Sequence, residues 1–150
     1  MHRLLLQPAN MYKRILKGEE DIQAPASKVW SILTSLKYTQ QFFFDERLVS
    51  DWKKGDPIYS ETEIESVKQI MKKGWVEQVH TGESLEFTLL QLDRFSFEPV
   101  LCLFQLLAMG ETVRLVFSME ICLYAPDVYP TLSAQCKMML QKIKWLAEFS

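Results

Sequence analysis

Residues 113–123 read VRLVFSMEICL, and the fold can be inferred outward from this stretch. Apolar side chains recur at every second position, and the positions between them include Arg114, Ser118 and Glu120. The apolar series consists of Val113, Leu115, Phe117, Met119 and Ile121. A period of two is typical of a β-strand with one buried and one solvated face. We therefore predict a long antiparallel strand whose apolar face lies in the core.

Further strands are predicted upstream, at residues 12–23, 58–65, 74–80, 83–91 and 101–107. The turn signals Thr81-Gly82 and Met109-Gly110-Glu111 join consecutive strands into hairpins. Alternation along residues 58–65 turns the carboxylates of Glu61, Glu63 and Glu65 toward water. The run 101–107 is apolar on both faces, so the sequence does not show which face points toward the core. Lys53-Lys54 and Lys72-Lys73 have acidic neighbours and are interpreted as solvated turns.

Helices are predicted on both sides of the strand series. Ala24-Pro25-Ala26-Ser27 ends the first strand and begins a helix through Leu33, and a second helical turn runs from Lys37 to Phe43. After the breaker Ala125-Pro126-Asp127, residues 131–149 form a long helix. Its apolar stripe consists of Leu132, Cys136, Met139, Ile143 and Leu146. The predicted class is α+β, with an antiparallel sheet of about six strands, two short helices after strand 1 and a long C-terminal helix on the sheet's inner face.

Composition favours a single globular domain over residues 11–150, preceded by a loose leader at residues 1–10. Met11 is an alternative start. The net charge of −2 offers no electrostatic footprint for nucleic acid. Three widely spaced cysteines and the absence of a signal-like or membrane-spanning run indicate a reducing compartment, so we expect a cytoplasmic protein with thiols serving as small apolar side chains.

Four motifs in sequence order resemble those of START-like (SRPBCC) domains. Residues 24–34 (APASKVWSILT) are similar to the opening A-P-x-x-x-V-W-x-x-L-T, and residues 50–58 (SDWKKGDPI) to W-x-x-G-D-P-[VI]. Residues 74–76 with 85–88 (GWV and LEFT) and residues 140–148 (LQKIKWLAE) resemble later motifs. The branch with the greatest similarity comprises homologues of the activator of the large heat-shock chaperone's ATPase.

This resemblance implies a helix-grip fold, in which a curved antiparallel sheet wraps around the C-terminal helix and encloses a cavity. Family members bind lipids, sterols or other hydrophobic molecules, some catalyse cyclisation or hydrolysis, and some act as co-chaperones. The resemblance also implies that Trp30 of the opening motif belongs to the core.

The candidate ligand-binding residues are the apolar side chains expected between sheet and helix. They are Phe87, Leu89, Leu115, Phe117, Met119, Met139, Ile143 and Leu146. Pockets for small molecules are mostly apolar, so this set suits a lipid, a sterol or an aromatic compound. The same residues would also form a core that is packed solid. The flexible pair Met138-Met139 favours a cavity.

Two other functions remain open. A co-chaperone would use the outer surface, where Glu61, Glu63 and Glu65 are expected to form a row. A cyclase or hydrolase would need a polar group in the cavity, and the candidates are His80, Tyr59 and Gln105. The sequence contains no zinc-protease motif, nucleophile elbow or glycine-rich phosphate loop, so we assign no catalytic residue, cofactor or metal ligand. We favour a non-catalytic module that holds a small apolar molecule.

Overall fold

Antiparallel strands form one sheet against which the long C-terminal helix packs. The computed structural model describes residues 12–43, 46–91, 99–123 and 129–150. The elements are β1 (Tyr12–Ile22), α1 (Ala26–Thr34), α2 (Leu36–Phe42), β2 (Arg47–Val49), β3 (Pro57–Ile64), β4 (Val67–His80), β5 (Ser84–Gln91), β6 (Val100–Met109), β7 (Thr112–Leu123) and α3 (Tyr129–Phe149). The predicted leader at residues 1–10 and the breaker at residues 125–127 lie outside the described residues.

The strand order is β1-β7-β6-β5-β4-β3-β2. β1 pairs with β7 along its whole length, from Tyr12 opposite Leu123 to Ile22 opposite Val113. The sheet is curved and not closed, with the two short helices after β1, so the predicted α+β class and helix-grip architecture are confirmed.

Within the described residues the sheet has seven strands where about six were expected. The additional strand is β2, which has three residues and pairs with β3. Three residues are too few to show a period of two, so alternation gives no signal for such a strand.

The strand β4 begins at Val67, seven residues before the predicted start at Gly74. Its first residues pair with β3, but Val67 through Met71 are exposed and show no alternation of burial. Glu65 lies in the preceding turn with φ of 51°, and Glu61 forms an ion pair with Arg47. The expected row of three solvated carboxylates is therefore wrong, because only Glu63 of the three both lies in the strand and is exposed.

The inner face of the sheet follows the predicted alternation on β5 and β7. Phe87 and Leu89 of β5 are buried, as are Leu115 and Phe117 of β7. On β6 the inward residues are Cys102, Phe104 and Leu106. In the run 101–107 the even-numbered residues therefore point toward the core, and Leu101 and Leu103 are half-buried on the outer face. Both faces looked alike in sequence because both are apolar.

The helix α3 buries four of the five residues of the predicted stripe, and the fifth, Leu132, is half-buried. Cys136, Met139, Ile143 and Leu146 are each at most 3% exposed. The helix approaches β1 closely at Gly18, where an added Cβ would lie 2.7 Å from the Leu140 Cδ1 atom. A glycine in β1 therefore lets the helix rest directly on the sheet.

Trp30 is only half-buried and packs against the edge of the core, whereas its neighbour Val29 is completely buried. The expectation that Trp30 lies in the core is therefore wrong. α1 turns Val29, Ile32 and Leu33 inward.

Candidate binding cavity

A cavity of about 210 Å³, partly open to solvent, lies between the sheet and the N-terminal half of α3. Strands β4 to β7 supply its floor, the end of α2 supplies one side, and α3 supplies the roof. Its lining consists of Phe43, Lys72, Leu89, Val100, Cys102, Met119, Ile121, Leu132 and Gln135. Seven of these nine side chains are apolar, and only Lys72 and Gln135 are polar. This composition is typical of a site for an apolar molecule with few polar contacts.

The eight predicted ligand-binding residues are all buried between sheet and helix. Leu89 and Met119 line the cavity, and the other six do not. Phe87 and Phe117 instead belong to an aromatic cluster, in which Phe104 lies 4.6 Å from Phe117 and 6.3 Å from Phe87 between ring centroids. Trp52 meets the Phe87 ring edge-on at 5.8 Å.

The space between sheet and helix thus has two ends. Beside the aromatic cluster and the C-terminal half of α3, side chains such as Ile143 and Leu146 fill it. Toward Leu132 and Gln135 it remains open. The two alternatives left by the sequence, a solid core and a cavity, are therefore both present, in different parts of one layer.

Among the described residues of the cavity wall, Lys72 is the charged one. Its side chain is 14% exposed, and its Nζ atom donates to both carboxylate oxygens of Glu46, at 2.6 and 2.7 Å. The Ser60 hydroxyl, on a completely buried residue, also donates to Glu46. Ser60 lies opposite Lys72 in the β3–β4 pairing, so both side chains project from the inner face.

The interpretation of Lys72-Lys73 as a solvated turn is therefore wrong for both residues, since both lie in β4. Lys73 is exposed, but Lys72 faces inward. The first half of β4 carries no alternating pattern, and the partner Glu46 lies 26 residues away in the sequence. A partly buried lysine needs an acidic partner, and the sequence contains one in Glu46, but no local pattern pairs the two residues.

Two cysteines stand at or near the cavity. Burial raises the pKa of the Cys102 thiol far above its ordinary value, an effect that the neighbouring Lys72 charge partly opposes. Burial also raises the pKa of Cys136 to about 11. Both thiols are therefore protonated at neutral pH and act as small apolar side chains.

The polar candidates for catalysis lie elsewhere. His80, Tyr59 and Gln105 are all exposed, and none belongs to the cavity lining. A general acid or base must reach the reacting group, so the cyclase or hydrolase hypothesis loses the residues on which it depended. Within the described residues, no group of three or more His, Cys, Asp or Glu side chains could hold a metal ion.

Two larger grooves, of about 600 and 590 Å³, open on the surface. The first crosses the outer face of the sheet and includes Lys13, Glu77 and Glu120; the second runs between β1 and α3 and includes Lys17 and Glu19. Charged rims make both less suited to an apolar ligand than the smaller cavity. Over the described parts of the chain, the helices are too short or too polar to span a membrane.

Comparisons with solved structures show the same fold. A protein of Chromobacterium violaceum is 14% identical with a TM-score of 0.74, covering 91% of this chain and 98% of its own. A Cytophaga hutchinsonii protein is 20% identical with a TM-score of 0.72, covering 88% and 92%. A Staphylococcus aureus protein of unknown function is 10% identical with a TM-score of 0.70, covering 93% and 96%.

A search of curated proteins finds no match. A family model described as "Activator of Hsp90 ATPase homolog 1-like protein" matches residues 23–137, which is most of the chain. That range begins before α1 and ends within α3, and it contains all nine residues given above as the cavity lining. The chain therefore belongs to the family of Activator of Hsp90 ATPase homolog 1-like proteins, within the START-like superfamily.

Proposed function

We propose that this protein is a non-catalytic binding module that holds a small apolar molecule between its sheet and the N-terminal half of α3. The observation that carries this proposal is the cavity of about 210 Å³ with its apolar lining. Family membership is consistent with a ligand-binding role.

The cavity volume limits the size of the ligand. An apolar cavity of about 150 Å³ holds benzene, and drug-sized ligands occupy pockets of about 300–1,000 Å³. At about 210 Å³ the cavity suits a single-ring aromatic compound or an aliphatic compound of similar size. Long-chain fatty acids and sterols are much larger, so among the lipid, sterol and aromatic classes we propose the aromatic one.

The test compares ligands of increasing size by amide chemical-shift titration. We expect α-methylstyrene to shift the resonances of residues around Leu89, Met119 and Leu132, and palmitate and cholesterol to leave them unchanged. A variant that fills the cavity, Val100→Phe, should abolish the α-methylstyrene shifts, because Val100 lines the wall. The matched control Leu103→Phe makes a change of similar size on the outer face of the same strand and should still bind.

Binding that survives Val100→Phe, or that is lost equally in Leu103→Phe, would locate the ligand elsewhere. If no small apolar compound binds to the wild-type protein at its solubility limit, the proposal fails.

A second candidate is a contact with a chaperone. The matching family is named after an activator of the chaperone Hsp90's ATPase. In addition, the β3–β4 hairpin exposes large apolar side chains. Ile64, Val67 and Ile70 are 47%, 59% and 47% exposed. Neighbouring exposed apolar residues of this kind are typical of protein contacts.

The chaperone hypothesis is tested by measuring the ATPase rate of Hsp90 from the same organism with and without the protein. If the hairpin is the contact, stimulation should disappear in Val67→Glu and persist in Leu107→Glu, a similarly exposed position on β6. No stimulation by excess wild-type protein would remove this candidate.

A further inference from the structure

We infer that Lys72 selects the ligand class, and that the cavity takes a neutral molecule with one hydrogen-bond acceptor in preference to a carboxylate. This inference rests on the proposed binding function. It concerns the kind of polar group that the ligand carries, which the apolar part of the lining does not specify.

Lys72 has one hydrogen-bond donor beyond the two that Glu46 accepts. An ammonium group has three N–H donors. Two point to the Glu46 oxygens, and the structure records no other partner for Lys72 among the described residues. Lys72 lines the cavity and Glu46 does not, so we assign the remaining donor to a ligand.

The ion pair with Glu46 determines which acceptor is preferred. Both Glu46 oxygens lie within 2.7 Å of the Lys72 Nζ atom, so the positive charge is already offset. A carboxylate ligand bound to Nζ would lie within a few ångströms of the Glu46 carboxylate, and the repulsion would cancel most of its attraction to Lys72. It would also lose its hydration on entering an apolar cavity. A carbonyl oxygen gains a charge-assisted hydrogen bond and bears neither cost.

Three isosteric probes separate these possibilities. Acetophenone has a neutral acceptor, benzoate is an anion of the same shape, and α-methylstyrene replaces the ketone oxygen by a methylene group. We expect acetophenone to bind roughly tenfold or more tightly than α-methylstyrene, which corresponds to one hydrogen bond from a charged donor. Benzoate should bind more weakly than acetophenone.

Two variants test the role of the ion pair. In Glu46→Gln the Lys72 charge is no longer offset, so the preference should reverse and benzoate should bind more tightly than acetophenone. In the double variant Glu46→Gln/Lys72→Met neither charge is left unpaired, and acetophenone should fall to the affinity of α-methylstyrene. Retained α-methylstyrene binding in both variants shows that the cavity is intact.

The outcomes are distinguishable. Equal binding of acetophenone and α-methylstyrene to the wild-type protein overturns the role of Lys72 and leaves the proposed cavity function standing. Tightest binding of benzoate to the wild-type protein overturns the preference for a neutral ligand. Failure of all three probes to bind rejects the proposed function itself.

Discussion

Gly74 lies on β4 against the backbone of β5, and the contact leaves no space for a side chain. An added Cβ would lie 1.7 Å from the Thr88 carbonyl oxygen and 2.8 Å from its carbon. Because both atoms belong to the main chain, neither can move without displacing the strand. We expect Gly74→Ala to lower the free energy of unfolding by about 3 kcal/mol or more, measured by urea denaturation.

Two other glycines serve as controls for this prediction. At Gly18 the close atom is the end of the Leu140 side chain, which can rotate, so Gly18→Ala should cost below about 1.5 kcal/mol. At Gly55 the space is open but φ is +84°, so Gly55→Ala should cost about 1 kcal/mol through backbone strain. A cost for Gly74→Ala no larger than that for Gly55→Ala would contradict the described β4–β5 contact.

At the scale of elements, prediction succeeded where burial is periodic. The alternation along β7 buries one face from Val113 to Met119, and the stripe of α3 is buried from Cys136 to Leu146, so both patterns are clear. It failed for β2 and for the first half of β4. β2 is too short to show a period. The first half of β4 extends beyond the core, so no buried face imposes a pattern on Val67–Met71.

The two halves of the layer under α3 should respond differently to truncation. Met119 and Met139 are both buried, at 5% and 2% exposure, but only Met119 lines the cavity. Met139→Ala should cost about 2–5 kcal/mol, because it empties a filled space. Met119→Ala should cost less, since a wall that already faces a void loses fewer contacts. Urea denaturation of the two variants measures this difference, and equal costs would contradict a void at Met119.

A carboxylate joins the C-terminal end of α3 to Gln23, the residue that follows β1. Glu148 Oε2 accepts the Gln23 backbone N–H at 2.8 Å and the Lys144 ammonium at 2.8 Å. These donors, the backbone N–H first, lower the pKa of Glu148 from its ordinary value of 4.5. The stabilisation is therefore complete above pH 4.5 and is lost as the pH falls through the lower pKa of the folded state.

Glu148→Gln should therefore reduce stability at pH 7 by below about 1 kcal/mol, as expected for a pair near the surface. The deficit should shrink as the pH falls through the lowered pKa of Glu148, because the wild-type carboxylate then becomes protonated too. Urea denaturation over a series of pH values from 7 downward measures the change, with Glu111→Gln in the exposed β6–β7 turn as the control. A deficit that is constant with pH would show that charge is not involved.

At the scale of the whole molecule, the sequence identified the layer that contains the candidate site but not the position of the cavity within it. Periodicity shows which side chains point inward, and all eight predicted residues do. Whether these side chains fill the space between sheet and helix depends on how the side chains of β5, β7 and α3 pack together in three dimensions. Periodicity in the sequence does not report that packing. Lys72 was missed for a related reason, because its burial depends on Glu46, which only the folded chain brings into contact.

The existence of a mostly apolar cavity between the sheet and the N-terminal half of α3 is the central claim, and a crystal structure under xenon pressure tests it most directly. Xenon binds apolar cavities without needing a polar partner. We predict xenon density bounded by Leu89, Cys102 and Met119. A structure in which side chains close this space, or in which xenon binds only outside it, would contradict the claim.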